Sequence, residues 1–114
     1  MAAHIVIHRN GDVIQYVRFH DLARHAGISL FAGRDKCNEF SIGIELEGFA
    51  NNPDWPFTEE QYASLTRITK ELMRTYPAIT PARIVGHEDI APERKQDPGN
   101  FFEWERFLTS LEYK

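Results

Sequence analysis

The chain has 114 residues, of which 42% are hydrophobic and 26% are charged. These proportions exclude a disordered or low-complexity chain, and the length predicts a single domain spanning residues 1–114. Thirteen basic residues against seventeen acidic ones give a net charge of −4, which argues against a nucleic-acid partner and against binding to an anionic membrane surface.

The N-terminal third of the chain predicts a β-hairpin followed by a long loop. Residues 4–8 and 13–17 are β-branched, apolar runs that flank Asn10 and Gly11. This dipeptide is typical of hairpin turns, because both of its residues tolerate a positive φ. Residues 18–40 show no sustained period, and we interpret them as a long irregular connection. Such a loop in a compact domain is usually functional.

Residues 41–47 predict a third strand, because apolar and polar side chains alternate. Ile42, Ile44 and Leu46 share one face of this strand, and Glu45 and Glu47 share the other. Glu45 is a candidate general base if its face looks into a cleft. The alternative is that it belongs to the solvated face of an amphipathic strand.

The C-terminal half predicts two helices. Thr58 and Gln61 form a capping box, and apolar residues recur at helical spacing from there to Pro77. A further helical turn is expected at Thr80 and Pro81, a short strand at 83–86, a loop at 87–99 and a last helix from about residue 100. The predicted fold class is therefore α/β, with a mixed central sheet covered by a long helix and a C-terminal helix.

The loop at 87–99 carries a candidate metal site. His87 directly follows the short predicted strand, and Asp97 stands ten residues later, before Pro98 and Gly99. Imidazole nitrogen and carboxylate oxygen are both ligands of zinc. Lys95, two residues before Asp97, is a candidate to stabilise a developing oxyanion. The alternatives are a structural histidine, a turn-capping aspartate and a solvated lysine.

The remaining candidates are weaker on the residues alone. His25 lies beside a glycine in the long loop and is a candidate for a cleft wall. His4 and His8 alternate with apolar residues and are compatible with a purely structural role in a strand. Cys37 is the only cysteine, which fits a reducing compartment, and we expect it to be a small buried side chain. With no apolar run of membrane-spanning length and no signal-peptide pattern, we expect a cytoplasmic protein.

Four blocks of the sequence together resemble the zinc-dependent N-acetylmuramoyl-L-alanine amidases of the amidase-2 group, and most of all the cytosolic anhydro-N-acetylmuramyl-L-alanine amidases of the AmpD type. The peptidoglycan recognition proteins share the fold of this group. In chain order the blocks are residues 3–7 with Asn10 and Gly11, residues 25–27, residues 37–38 with 41–48, and residues 86–99 except 88, 93 and 96.

The resemblance implies a role for each matching residue. His87 and Asp97 would be zinc ligands, Glu45 the general base and Lys95 the stabiliser of the oxyanion. Lys36, where the group has an arginine, and His25 in the loop that walls the cleft would bind substrate. The implied reaction is hydrolysis of the amide between anhydro-N-acetylmuramic acid and L-alanine in a muropeptide, during recycling of the cell wall.

The resemblance also implies that the chain is truncated at its N-terminus. The group's first zinc ligand is a histidine that ends an opening strand, and this strand would lie upstream of Met1. His4, His25 and Glu45 are the candidates to replace that ligand. The expected enzyme has a rival from another class, a muropeptide-binding module without catalysis.

Overall fold

The computed structural model describes residues 3–23, 26, 29–35, 37, 40–48, 52–92 and 95–112. It contains a three-stranded sheet, a two-stranded hairpin and three helices. The elements in chain order are β1 (Ile5–Ile7), β2 (Val13–Gln15), β3 (Leu30–Phe31), β4 (Arg34–Asp35), β5 (Ile44–Leu46), α1 (Glu59–Thr75), a 3-10 turn (Pro81–Arg83), α2 (His87–Ile90) and α3 (Trp104–Ser110).

The main sheet is mixed, with strand order β2-β1-β5. The central strand β1 pairs antiparallel with β2 and parallel with β5, so that Ile5 faces Gln15 on one side and Ile44 on the other. Ile5 and Ile7 are buried and pack in the core with residues of α1 and α3. The predicted α/β class, with a mixed sheet covered by a long helix and a C-terminal helix, is confirmed.

The turn between β1 and β2 has a different geometry from the predicted one. The amide of Gly11 donates to the carbonyl of His8, and the amide of His8 donates to the carbonyl of Asp12, both at 2.8 Å. Gly11 has a φ of +90°, whereas Asn10 is not among the residues with positive φ. The turn is therefore a three-residue loop with one left-handed glycine, and the expectation of two positive φ angles was wrong.

The long connection contains a small hairpin that the sequence analysis missed. Strands β3 and β4 pair antiparallel, and Ala32 (φ 50°) and Gly33 (φ 80°) form the turn between them. Two consecutive positive φ angles are typical of a type I′ turn. Ala23, Ala26 and Cys37 are buried in the same connection, which confirms the expected burial of the cysteine.

Helix α1 follows the sequence prediction closely. The Thr58 hydroxyl accepts a hydrogen bond from the amide of Gln61, and the Gln61 side chain accepts one from the amide of Thr58, so the capping box is complete. Tyr62, Leu65 and Leu72 are the buried apolar residues of the helix. The described residues include no helix that is long and apolar enough to cross a membrane.

The C-terminal segment differs from the prediction in two places. Residues 83–86 form no strand, because Arg83 ends the 3-10 turn and residues 84–86 pair with no strand among the described residues. Helix α3 begins at Trp104 and not near residue 100. The preceding Phe102 is instead buried in the core, where its ring stacks on Tyr62 with centroids 5.4 Å apart.

Candidate metal and catalytic site

The two predicted metal ligands of the 87–99 segment lie side by side. Nδ1 of His87 is 3.4 Å from Oδ2 of Asp97. Zinc binds imidazole nitrogen and carboxylate oxygen at about 2.0–2.2 Å, and two such atoms on a tetrahedral ion lie about 3.4 Å apart. The His87 ring is mostly buried, and the Asp97 side chain is half-exposed. This pair of donor atoms therefore has the chemistry and the spacing of two zinc ligands.

The other nitrogen of His87 is held by the long connection. Nε2 of His87 lies 2.9 Å from the carbonyl oxygen of Ala26. A carbonyl oxygen only accepts hydrogen bonds, so Nε2 must carry the proton of this bond. In the neutral ring Nδ1 is then a lone-pair donor, and it is this nitrogen that faces Asp97.

Close packing around Gly86 brings Asp97 to His87. The amide of Gly86 donates to the carboxylate of Asp89 at 2.7 Å, which fixes the start of the short helix α2. The amide of Glu88 donates to the carbonyl of Asp97 at 2.9 Å. A Cβ atom on Gly86 would lie only 2.7 Å from Cδ of Pro98. The absence of a side chain at Gly86 thus lets the loop that carries Asp97 pass directly against α2.

The electrostatic surroundings of the pair are negative. Burial, followed by the nearby charges of Asp89 and Asp97, raises the pKa of Glu88 above its ordinary value, while a hydrogen bond from the backbone of Gly99 opposes this shift. Three carboxyl groups, those of Glu88, Asp89 and Asp97, therefore share one short segment with the His87 ring. Such an environment favours a bound cation.

Glu45 and Lys95 lie on different elements, and their catalytic roles stay predictions. Glu45 is exposed at the middle of β5, opposite Val6 of the central strand. Lys95 is half-buried, and its amide donates to the carbonyl of Ala91 at 2.9 Å, two residues before Asp97. Within the described residues, no three His, Cys, Asp or Glu side chains come together as a metal-binding group. Glu45 therefore does not join His87 and Asp97 as a third ligand.

His4 is a structural residue, and its candidacy as a replacement ligand was wrong. Its ring is fully buried. Nδ1 accepts a hydrogen bond from the amide of Gly43 at 3.0 Å, and Nε2 lies 2.8 Å from the carbonyl oxygen of Asp21. Both nitrogens are thus bound to the backbone, so neither has a lone pair left for a metal.

Three sequence predictions have other outcomes. His25 and Lys36, the predicted substrate-binding residues, lie outside the described residues. His8 directly follows β1, and its Nδ1 lies 3.4 Å from a carboxylate oxygen of Glu47, a contact compatible with the expected structural role. Sequence reasoning gave no role to Gly86 or to Ala26, although both lie within the recognised blocks. A glycine directly before a candidate ligand is a signal of close backbone approach that identifies the first of them.

Comparison with known proteins identifies the family of the chain. The family profile described as N-acetylmuramoyl-L-alanine amidase matches residues 1–100. The chain belongs to this family. A curated relative, the 1,6-anhydro-N-acetylmuramyl-L-alanine amidase AmpD of Haemophilus influenzae, is 56% identical over 111 residues, which cover 97% of this chain and 59% of the relative.

Solved structures of the family have the same fold. A crystal structure of a selenomethionine AmpD derivative matches with a TM-score of 0.90 and 47% identity, over 96% of this chain and 59% of that one. The N-acetylmuramyl-L-alanine amidase AmiD from E. coli, solved with the substrate anhydro-N-acetylmuramic acid-L-Ala-D-γ-Glu-L-Lys, matches with a TM-score of 0.85 and 35% identity, over 96% of this chain and 47% of that one. The chain thus spans between about half and three fifths of the length of these relatives.

Proposed function

We propose that this chain acts in a zinc-dependent amidase that hydrolyses the bond between anhydro-N-acetylmuramic acid and L-alanine in muropeptides, in the cytoplasmic recycling of the cell wall. The observation that carries the proposal is the 3.4 Å approach of Nδ1 of His87 to Oδ2 of Asp97. The membership of the chain in the amidase family and the substrate bound to the related AmiD support it.

His87 and Asp97 are the residues that would hold the zinc ion. Bound there, zinc would polarise the carbonyl of the lactyl group and acidify a water molecule. Glu45, whose carboxylate is exposed on β5, would accept a proton from the attacking water and pass it to the nitrogen of the leaving L-alanine. Lys95 would place its ammonium group beside the developing oxyanion.

The second candidate function is a muropeptide-binding module without catalysis. The observation that favours it is the absence of a third potential ligand beside His87 and Asp97 in the part of the chain that the structure describes. A catalytic zinc usually has three protein ligands and one open position. A set of only two candidate ligands is what we expect of a chain that binds muropeptide without holding the metal.

Two measurements on the purified chain separate these functions. The first is the zinc content per chain by elemental analysis, and the second is the release of L-Ala-D-γ-Glu-L-Lys from its anhydro-N-acetylmuramic acid conjugate, followed by mass spectrometry. The proposed amidase is expected to hold zinc and to release the peptide, and a chelator is expected to abolish the release. His87→Gln and Asp97→Asn are each expected to lose both properties.

Glu45 has a matched control at Glu47, directly after the end of β5. Glu45→Gln is expected to lower the rate of peptide release by about 10²- to 10⁴-fold with unchanged zinc content, as for loss of a general base. Glu47→Gln removes the other exposed carboxylate of this face and is expected to keep most of the activity. Muropeptide binding that survives both the chelator and Glu45→Ala, without peptide release, supports the binding module. A folded chain with neither zinc, peptide release nor muropeptide binding contradicts both functions.

A further inference from the structure

We propose that the backbone carbonyl of Ala26 is a positioning group, which holds His87 in the tautomer whose unprotonated Nδ1 faces Asp97. This inference rests on the proposed function, because its purpose is to present a lone pair to the metal. The proposal gives the long connection between β2 and β5 a second role, the orientation of His87, beside the cleft wall predicted at His25. Ala26 itself acts through His87 and is expected to touch neither substrate nor metal.

The hydrogen-bond geometry determines which tautomer is held. Nε2 of His87 is 2.9 Å from the carbonyl oxygen of Ala26, a normal hydrogen-bond length, whereas Nδ1 is 3.4 Å from Oδ2 of Asp97, beyond that range. The short contact requires a proton on Nε2. The long one leaves the space between Nδ1 and the carboxylate for an ion. A ring in the opposite tautomer would lose the bond to Ala26 and turn an N–H toward the metal position.

His4 gives an internal comparison, because the same chain holds a second imidazole in the same way. Its Nε2 also lies against a backbone carbonyl, that of Asp21, at 2.8 Å. Its Nδ1, however, accepts a hydrogen bond from the amide of Gly43 at 3.0 Å. The two rings therefore share a backbone anchor on Nε2 and differ in the partner of Nδ1. Of these two anchored rings, that of His87 is the one whose Nδ1 faces a carboxylate.

The burial of Ala26 makes its position sensitive to side-chain size. Ala26 is completely buried, so a larger side chain there is accommodated only by displacement of the backbone or of packed neighbours. Groups that orient a metal-binding histidine through its second nitrogen typically affect metal affinity by about 10- to 100-fold. Displacement of the Ala26 carbonyl should therefore weaken zinc binding by a factor in this range, although no zinc ligand has been changed.

The test compares two buried alanines of the same connection. Ala26→Val and Ala23→Val each add two methyl groups at a position that is at most 2% exposed, so both are expected to lower the thermal midpoint. We expect Ala26→Val to weaken zinc binding by about 10- to 100-fold in a chelator competition and Ala23→Val by less than about threefold. Equal losses in the two variants would assign the effect to general destabilisation and would overturn the proposal.

Nitrogen-15 NMR of the metal-free wild-type chain gives a readout that does not depend on zinc. At a pH where the ring is neutral, the His87 signals, assigned by their disappearance in His87→Gln, are expected to report a proton on Nε2, as are those of His4. The Ala26→Val variant is expected to show a mixture of tautomers at His87 and an unchanged His4.

The possible outcomes separate the two proposals. A proton on Nδ1 of His87 in the wild-type chain overturns the positioning role even if the variant fails to fold. The Nε2–H tautomer in a chain that does not bind zinc supports the positioning role and contradicts the proposed metal site. Zinc binding by the wild-type chain, together with the wild-type tautomer in Ala26→Val, supports the proposed metal site and contradicts the positioning role.

Discussion

Substitution of Gly86 by alanine tests whether backbone packing holds the two donor residues together. Gly86 has a φ of −83°, which alanine adopts without strain, so the effect of the change is purely steric. The new Cβ would lie 2.7 Å from Cδ of Pro98, where carbon atoms normally approach to about 3.5–4.0 Å. Relief of this contact requires a shift of about 1 Å in the segment that carries Asp97.

A displacement of this size should affect both stability and metal binding. Overpacking of a well-packed site costs about 1–3 kcal/mol, which thermal or urea unfolding measures. A shift of about 1 Å is large against the 3.4 Å separation of the His87 and Asp97 donor atoms, and we expect zinc affinity to fall by about 10- to 100-fold. Chelator competition measures this loss.

The matched control is Gly33→Ala. Gly33 has a φ of +80° but no neighbouring atom within 4 Å of the added Cβ. This change should therefore cost about 1–2 kcal/mol through backbone strain alone and leave zinc affinity intact. Gly86→Ala with wild-type zinc affinity in a folded chain would refute the reasoning, as would an equal loss of affinity in Gly33→Ala.

Three further predictions concern stability. His4→Ala should lower the free energy of unfolding in urea by about 2–4 kcal/mol, because the buried amide of Gly43 and the partly buried carbonyl of Asp21 each lose their partner. Thr58→Ala should lower it by about 1 kcal/mol through loss of the helix cap. The amide of Arg9, with a smaller contribution from His8, lowers the pKa of Glu47 despite partial desolvation. The carboxylate of Glu47 therefore stabilises the fold at neutral pH, and this contribution should disappear in acid as the pH falls through its lowered pKa, whereas Glu47→Gln should lack this part of the pH dependence.

Each of these three predictions has a comparison that could contradict it. His20 is exposed, and His20→Ala should leave stability nearly unchanged; an equal effect in the two histidine variants would deny the role of the buried hydrogen bonds. Thr80 precedes the 3-10 turn without forming a side-chain cap, so Thr80→Ala should cost less than Thr58→Ala. For Glu47, parallel curves of stability against pH for the wild type and Glu47→Gln would exclude the assigned interaction.

The elements that sequence predicted best are those whose signals are local. The Thr58–Gln61 capping box and the helical period of the following residues act within a few positions, and α1 begins where they predict. The turn at Gly11 was predicted in place but not in type. Gly11 is in contact with α1, because the Ser64 hydroxyl donates to the carbonyl of Gly11 at 2.6 Å. No feature of residues 8–12 predicts that contact.

The site divides in the same way. The residue types and spacing of His87 and Asp97 predicted a pair of candidate zinc ligands. The family resemblance then assigned predicted roles to Glu45 and Lys95. What the sequence did not reveal is the support of these residues. The contact of Ala26 with His87 joins positions 61 residues apart, and the partners of His4 emerge only when its ring is seen between two backbone segments. Side-chain type predicts what a residue is able to do, and long-range packing decides whether it does so.

The side chain of Gln61 has a consequence for which sequences this fold accepts. Its amide group donates to the carbonyl of Ile7 at 3.2 Å and to that of Glu47 at 2.8 Å, while its oxygen accepts from the amide of Thr58. A glutamate would close the helix cap equally well, but it would turn a carboxylate oxygen toward two carbonyl oxygens that now accept hydrogen bonds from the Gln61 amide. The start of the helix tolerates either residue, and the ends of β1 and β5 tolerate only the amide. The choice between glutamate and glutamine at this position of the capping box is thereby restricted to glutamine. The same side chain also fixes the position of α1 relative to the parallel strands β1 and β5.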